Sequence, residues 1–194
     1  MSEPAKVGEV FTIGHSNHSR EHFLNLLCDR EIEVLVDVRS HPRSRYVEWA
    51  DRTNLASSVK GVGIKYLFLG EELGGRPNAP QFYDAEGRAL YWKIAEGEAF
   101  EAGVRRLQEG AERYRVAIMC SEENPASCHR RLLVAKVLLE RGFKITHIRG
   151  NGACESERQP IDFAAGSLFA DEENLWRSSL SVSPARPRKT SLAA

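Results

Sequence analysis

Two cysteines, a glutamate and a histidine lie close together in the stretch that runs from residue 119 to residue 131. A thiol becomes a strong nucleophile when neighbouring positive charge stabilises its thiolate, and a nearby imidazole or carboxylate can carry the proton. We therefore take Cys120 as the candidate nucleophile or transition-state donor and Glu122 as a candidate general acid or base. His129 and His15 are the two candidate bases for the thiol.

The same side chains fit two other interpretations. Cys120, Cys128, His129 and His15 are a usable set of metal ligands, although two cysteines this far apart without a Cys-x-x-Cys pair give a weak zinc signal. The cysteines can also be small buried hydrophobic residues with His129 hydrogen-bonded locally. The cysteine–arginine loop of phosphatases does not match, because Ala126 stands where that loop has its arginine. We predict a site without metal, and the sequence leaves the other two interpretations open.

Arginine and serine side chains are concentrated in the stretch from residue 37 to residue 45. A guanidinium group can give two parallel hydrogen bonds to a phosphate or carboxylate, so this loop suits an anion. We expect Arg39 and Arg130 to hold that anion, with Ser44 beside them. Asp37 either orients Arg39 or acts as a base.

Glycine-containing turns follow two of the predicted strands. Gly14 precedes His15 and Ser16, in the position of a phosphate-binding turn. Gly74 and Gly75 permit a tight loop and a close approach of the backbone to a ligand. The predicted substrate-binding set is therefore Ser16, Arg39, Ser44, Gly74, Gly75, Cys128 and Arg130.

Short apolar runs alternate with helical periodicity along the chain, which predicts the elements that position these side chains. Strands are predicted at residues 10–13, 34–38, 64–69, 116–120 and 144–148. Helices are predicted after the cap Ser19, with Phe23, Leu26 and Leu27 on the apolar face, near residues 53–60, at residues 88–112 with breaks at Gly97 and Gly103, and at residues 125–141. This alternation predicts a three-layer, Rossmann-like α/β domain with a mostly parallel central sheet. In such sheets ligands bind at the carboxyl ends of the strands, where the residues above gather.

Composition limits the class of protein. The chain has 194 residues, with 27 lysines and arginines against 27 aspartates and glutamates. This balance excludes a strongly basic nucleic-acid coat protein. No apolar run approaches the roughly 20 residues of a membrane-spanning helix, and no apolar signal region opens the chain, so we expect no membrane partner and a cytoplasmic location. The four cysteines do not resemble a secreted disulfide framework. We predict an α/β domain at residues 8–150, an extension at 151–177 and a flexible Ser/Pro/Arg-rich tail at 178–194.

The four segments together resemble the family known as domain of unknown function 488. The resemblance rests on residues 12–16, on Asp37, Val38 and Arg39 with Pro42 and Ser44, on residues 73–75, and on residues 119–122 with Pro125 and residues 128–130. It extends from about residue 11 to residue 148. It implies an α/β fold and this set of residues, and it carries over no catalytic role.

The chemistry of the segments favours an enzyme, a hydrolase or a transferase, that acts on a small phosphate-bearing or nucleotide-like substrate. One alternative is a nucleic-acid-binding or regulatory module, in which the basic loop binds phosphates and Tyr46 and Trp49 stack on bases. Another is a thiol and histidine site for metal binding or redox sensing. The sequence names no cofactor and no oligomeric state.

Overall fold

The computed structural model describes residues 8–44, 46–157 and 176–182. Its strands are β1 (Glu9–Gly14), β2 (Val34–Asp37), β3 (Lys65–Phe68), β4 (Val116–Cys120), β5 (Lys144–Ile148) and β6 (Cys154–Glu157). They form one sheet in the order β3-β2-β4-β1-β5-β6. The first five strands pair in parallel, and β6 pairs antiparallel with β5.

The helices cover both faces of this sheet. They are α1 (Arg20–Cys28), α2 (Arg52–Gly61), α3 (Gly70–Leu73), α4 (Tyr91–Ala95), α5 (Glu98–Ala111) and α6 (Lys136–Glu140). A π-helical segment, Arg130–Ala135, runs directly into α6. Short 3-10 turns lie at Glu48–Ala50, Pro80–Phe82 and Pro125–Ser127.

Two hydrophobic cores lie on opposite faces of the sheet. Phe23 of α1 and Leu55 of α2 pack with Phe11 of β1 on one face. Phe100 of α5 and Ile118 of β4 pack with the π-helical segment on the other. Since alternate side chains of a strand point to opposite faces, the continuous apolar runs of β1 and β4 supply both cores. The prediction of a three-layer α/β domain with a mostly parallel sheet is confirmed.

The helices differ from the prediction in two places. Residues 125–141 do not form one helix, because Cys128 has an extended backbone (φ −96°, ψ 138°) between the 3-10 turn and the π-helical segment. Asn124 accepts a hydrogen bond from the Ala126 N–H and closes that turn separately. The predicted helix at 88–112 is divided at Gly97, as expected, but Gly103 lies within α5 and lets it pack closely on Glu72 and Leu73 of α3.

The chain also returns to the body of the protein beyond residue 150, where the predicted domain ended. β6 adds a sixth strand to the sheet. Residues 176–182 pack beside α4, where the Tyr91 N–H donates to the Trp176 carbonyl at 2.9 Å. Ser178 is 4% exposed, and the Val182 N–H donates to the Gly87 carbonyl. Residues 178–182 of the predicted tail thus pack against the body of the protein, and residues 183–194 lie outside the described part of the chain.

Candidate functional site

The carboxyl ends of three adjacent strands bring the candidate residues together. Gly14 at the end of β1 is in register with Cys120 at the end of β4, and Asp37 at the end of β2 is in register with Met119. A pocket of about 300 Å³ opens above this edge. Its lining includes Arg39, Ser40, His41, Arg43, Gly75, Arg76, Tyr91, Cys120, Ser121, Glu122, Ser127, Cys128, His129 and residues of the 178–182 segment.

Cys120, Glu122, Cys128 and His129, hereafter the thiol cluster, form part of the pocket wall. The Cys120 thiol donates to Glu122 Oε2 at 2.9 Å, and the Cys128 thiol donates to the same oxygen at 3.1 Å. His129 Nδ1 lies 3.6 Å from Cys120 Sγ. Both cysteines are buried, while Glu122 is exposed and His129 is half-buried. The structure therefore brings four of the predicted site residues into mutual contact.

The surroundings of Cys120 and Cys128 shift their pKa values in opposite directions. The contact with Cys128, followed by burial, raises the pKa of Cys120 well above that of a free cysteine. Burial acts to raise the pKa of Cys128 as well, but the Cys120 contact and the charge of His129 outweigh it and lower that pKa. Cys128 is therefore the more acidic thiol of the pair. Burial opposes protonation of His129, while its contact with Cys128 raises its pKa.

The two thiols stabilise the ionised form of Glu122. Desolvation alone would raise its pKa, but the hydrogen bonds from Cys120 and Cys128 lower the pKa to about 2. Because these bonds need thiol protons, deprotonation of the cysteines removes the groups that make Glu122 so acidic.

Asp37 and Arg39 form a buried ion pair beneath the pocket. Arg39 Nε and Nη2 donate to the two oxygens of Asp37 at 2.9 and 2.7 Å. The Tyr66 hydroxyl donates to Asp37 Oδ2 at 2.7 Å, and Arg39 Nη2 also donates to the Ala50 carbonyl. Asp37 is fully buried and Arg39 is 3% exposed. Asp37 therefore orients Arg39, as one of the two predicted roles states.

His15 is the third member of this network. Arg39 Nη1 lies 3.2 Å from His15 Nε2, and His15 Nδ1 lies 2.9 Å from the Ser16 carbonyl. An N–H on Nδ1 and a lone pair on Nε2 satisfy both contacts, so the ring is neutral. Burial, followed by the charge of Arg39, lowers the pKa of His15 to about 4. His15 does not line the pocket, and the hydrogen bonds of its ring go to Ser16 and Arg39 and not to the thiol cluster, although its backbone N–H donates to the Cys120 carbonyl.

Arg130 is buried below the loop that carries Glu122. Its side chain donates to the carbonyl of Glu122 and, at 2.6 Å, to the carbonyl of Glu123. Its Nε donates to Thr12 Oγ1 at 3.3 Å. Because Arg130 is 0% exposed and all three nitrogens have partners inside the protein, its guanidinium anchors the loop after β4.

Two glycines of the predicted turns permit close backbone contacts with the site. A Cβ on Gly14 would lie 1.8 Å from the Glu122 carbonyl oxygen. A Cβ on Gly75 would lie 2.6 Å from Cβ and Cγ of His129. A Cβ on Gly74 would meet Ser40 and the Gly70 carbonyl instead, away from the thiol cluster. Gly14 and Gly75 thus fix the positions of Glu122 and His129.

Ser44 and Ser16, like Gly74 and Arg130, are predicted binding residues that lie outside the pocket lining. Ser44 Oγ accepts a hydrogen bond from the Val47 N–H at 2.9 Å, which shapes the loop before the 3-10 turn. Ser16 has a left-handed backbone (φ 45°), and its N–H donates to the Ser121 carbonyl at 2.8 Å. The structure gives both serines a role in loop geometry.

The pocket also contains residues that sequence reasoning did not select. Tyr91 is buried in its wall, and burial raises the pKa of its hydroxyl. Ser178, Ser179 and Leu180 come from the segment assigned to the tail. No local pattern marks these residues, because they reach the pocket only through long-range packing.

The chain belongs to the family of the domain of unknown function DUF488, whose family model matches residues 19–137. The matched stretch contains three of the four motifs, and the motif at residues 12–16 precedes it. No curated protein matches the chain significantly.

Two solved structures are similar to the chain, and both carry the description "Putative phosphatase (DUF442)" from Shewanella putrefaciens CN-32. The first has 13% identity and a TM-score of 0.41, over 73% of this chain and 70% of that one. The second has 17% identity and a TM-score of 0.37, over 65% of each chain. In the described part of this chain, no helix is long and apolar enough to cross a membrane.

Proposed function

We propose that the protein is an enzyme, a hydrolase or transferase, that acts on a small phosphate-bearing or nucleotide-like substrate in the pocket above the strand ends. The observation that carries this proposal is the convergence of two buried thiols, a carboxylate and an imidazole in the wall of a pocket with arginines at its rim. Reactive side chains that meet in a concave site are the usual composition of an active site.

Arg43 and Arg76 are the groups that would bind the anionic part of the substrate. Both line the pocket and both are exposed, so they can exchange water for a phosphate oxygen. Arg39 and Arg130, the predicted anion-binding pair, have internal partners for their guanidinium nitrogens. In this proposal Arg39 contributes positive charge to the pocket wall and Arg130 holds the loop.

Glu122 would carry the proton during the reaction. Its carboxylate is exposed to the pocket and contacts both thiols, so it lies between the thiol cluster and a bound substrate. His129, also a predicted base, lines the pocket, whereas Asp37 and His15 are buried against Arg39 and do not line it.

The test begins with thermal melting of the full chain in the presence of inorganic phosphate, nucleotides and sugar phosphates. A ligand at 100 times its Kd stabilises the folded state by about 2.7 kcal/mol, which raises Tm by a few degrees. Turnover is then measured with the compounds that raise Tm. Glu122→Gln should lower kcat, and Arg43→Ala and Arg76→Ala should each raise KM roughly 10- to 100-fold, the range of a charged hydrogen bond.

Arg105→Ala is the matched control, since Arg105 is an exposed arginine of α5 that does not line the pocket. It should leave KM unchanged. The proposal fails if no phosphate-bearing compound raises Tm, or if the rise is the same in the Arg43→Ala, Arg76→Ala double variant.

The nucleic-acid alternative has less support from the contacts of its two aromatic residues. Trp49 packs on Phe23 and donates its Nε1–H to the His18 carbonyl, so its ring belongs to the core around α1. Tyr46 is 95% exposed and remains able to stack on a base. Single-stranded DNA and RNA therefore belong in the same ligand panel.

A further inference from the structure

Three metal-binding atoms converge within the thiol cluster. Cys120 Sγ, Cys128 Sγ and His129 Nδ1 all lie within 4.8 Å of one another. Zinc bonds to sulfur at about 2.3 Å and to nitrogen at about 2.0 Å, so its ligand atoms lie roughly 3.5–4 Å apart. The observed 3.6 Å between Cys120 Sγ and His129 Nδ1 fits this spacing.

The orientation of His129 is an independent indication of a ligand. His129 Nε2 lies 2.9 Å from the Val38 carbonyl, so that nitrogen carries the proton and donates it. Nδ1 is then left with a free lone pair directed at the sulfurs. Histidines that bind metals are held in this way, by a carbonyl or carboxylate on the other ring nitrogen. The close approach of Gly75 to the ring keeps it in place.

We propose that Cys120, Cys128 and His129 bind one zinc ion, with Glu122 beside the open fourth position. Two sulfurs and one imidazole nitrogen favour zinc, and three protein ligands with one open position are typical of catalytic zinc sites. This inference rests on the proposed function, and it deepens that function by making the cysteines ligands.

Zinc binding changes the protonation of the cluster in a defined way. Each cysteine binds as a thiolate, so one Zn²⁺ displaces two thiol protons to solvent, and the ion with its two thiolates is neutral. Glu122 then loses the two thiol donors that it contacts in the structure. Its carboxylate becomes free to face a water molecule or substrate on the metal. A bound zinc ion would supply Lewis-acid chemistry at the pocket wall.

The experiment is a metal titration of the purified, chelator-treated full chain under reducing conditions. Co²⁺ serves as a spectroscopic probe of the zinc site. We expect one Co²⁺ per chain with a thiolate-to-cobalt absorption band, displacement by Zn²⁺, and a release of two protons in buffer-dependent calorimetry. Cys120→Ser, Cys128→Ser and His129→Gln should each weaken binding at least 10-fold, and the serine variants should weaken the band.

Cys28→Ser and Cys154→Ser are the matched controls, since these thiols are exposed and lie outside the cluster. Both should bind Co²⁺ as the parent protein does. If a cluster variant fails to fold, alkylation of the parent protein answers the same question. Zn²⁺ should then protect Cys120 and Cys128, and leave Cys28 and Cys154 reactive. The zinc site is overturned if the parent protein takes up no metal, or if uptake is lost in the control variants and not in the cluster variants. A Cys120–Cys128 disulfide that persists under reduction would also overturn it.

Measuring metal binding and turnover separately distinguishes failure of the zinc site from failure of the proposed enzyme function. Full turnover by the chelator-treated, metal-free protein would overturn the zinc site and leave the enzyme proposal intact. Stoichiometric zinc binding with no effect of any phosphate-bearing compound would overturn the enzyme proposal and leave the zinc site in place.

Discussion

Single residues beneath the pocket show how the protein stabilises charge away from water. Asp37 and Arg39 are both buried, and the pair is satisfied by two parallel hydrogen bonds together with Tyr66 and the Ala50 carbonyl. A buried charge that loses its partner is very unfavourable, whereas a surface pair contributes little. The main role of Asp37 and Arg39 in the Asp-Val-Arg segment is therefore to stabilise the fold.

Asp37→Ala should destabilise the protein by about 3–5 kcal/mol, because Arg39 would remain buried without a counter-charge. Urea unfolding measures the change. Glu72→Ala is the matched control, since Glu72 pairs with Arg106 at the surface and its loss should change stability by at most about 1 kcal/mol. Equal effects of the two substitutions would contradict a structural role for the buried pair.

His15 should make stability depend on pH. Its pKa is lowered to about 4 in the folded protein from 6.5, the ordinary value expected in the unfolded chain. As the pH falls below 6.5 the unfolded chain binds a proton that the folded protein does not, so stability decreases until the pH reaches about 4. The loss is about 3 kcal/mol, and the residue contributes no pH dependence above pH 7.

The measurement compares unfolding free energies of the parent protein and His15→Asn between pH 7 and pH 4. Arg39, Asp37 and Glu122 are the charged groups that act on His15, and they remain in the variant. The variant should lose less stability than the parent over this range, while the exposed His41→Asn should follow the parent. Parallel curves for His15→Asn and the parent would show that folding does not lower the pKa of His15, and would contradict this prediction.

At the scale of elements, the site depends on how closely the loops after β1 and β4 approach each other. The His15 N–H donates to the Cys120 carbonyl at 3.0 Å, and the Ser16 N–H donates to the Ser121 carbonyl at 2.8 Å. Arg130 holds the next two carbonyls from below. The loop that carries Glu122 is therefore fixed from two sides, with Gly14 at the point of closest contact.

Gly14→Ala should displace this loop, because the new Cβ would meet backbone atoms that Arg130 prevents from moving. We expect a loss of about 1–3 kcal/mol in stability, as for other overpacked sites, together with weaker Co²⁺ binding. Gly61→Ala is the control. Gly61 ends α2 with open space around it, so this change should be neutral or slightly stabilising. Unchanged metal binding in Gly14→Ala would mean that the loop tolerates the shift.

At the scale of the whole molecule, the formal net charge is zero and the basic groups of the pocket act locally. Arg43 and Arg76 are the exposed arginines of the lining. Zero net charge gives the molecule no overall attraction for a polyanion, so in the proposed function its affinity for a ligand should come from a few direct contacts. The number of phosphate contacts therefore distinguishes binding of a small anionic substrate from binding of a nucleic acid.

Binding of a small phosphate compound should therefore weaken by at most about 10-fold between 50 and 200 mM salt, since about two phosphate contacts are involved. A mode with six to ten phosphate contacts to a single strand would lose roughly 10²–10⁴ in affinity over the same range. The measurement is the slope of log affinity against log salt concentration. Calorimetric titration gives it for the small ligand, and fluorescence anisotropy gives it for single-stranded DNA. A steep loss of tight DNA binding would favour the nucleic-acid alternative.

The sequence by itself determined the class of fold and the identity of most residues near the pocket. Alternating apolar runs and helical periodicity are local, and the carboxyl ends of parallel strands meet at one edge. These two facts were enough to place Cys120, Glu122, Cys128 and His129 in a common site. The family was predicted separately, from the resemblance of the four motif segments, and the match over residues 19–137 confirms it.

Only the tertiary structure decided which polar groups face the pocket and which support it. Arg130 and Arg76 have the same side chain, yet one is buried under a loop and the other is exposed at the rim. The difference arises because partners far apart in sequence, such as Thr12 for Arg130 and Ser40 for the Arg76 backbone, set the position of each residue. Periodicity carries no information about such contacts. For the same reason, the placement of Ser178 against Ala89 came from packing alone.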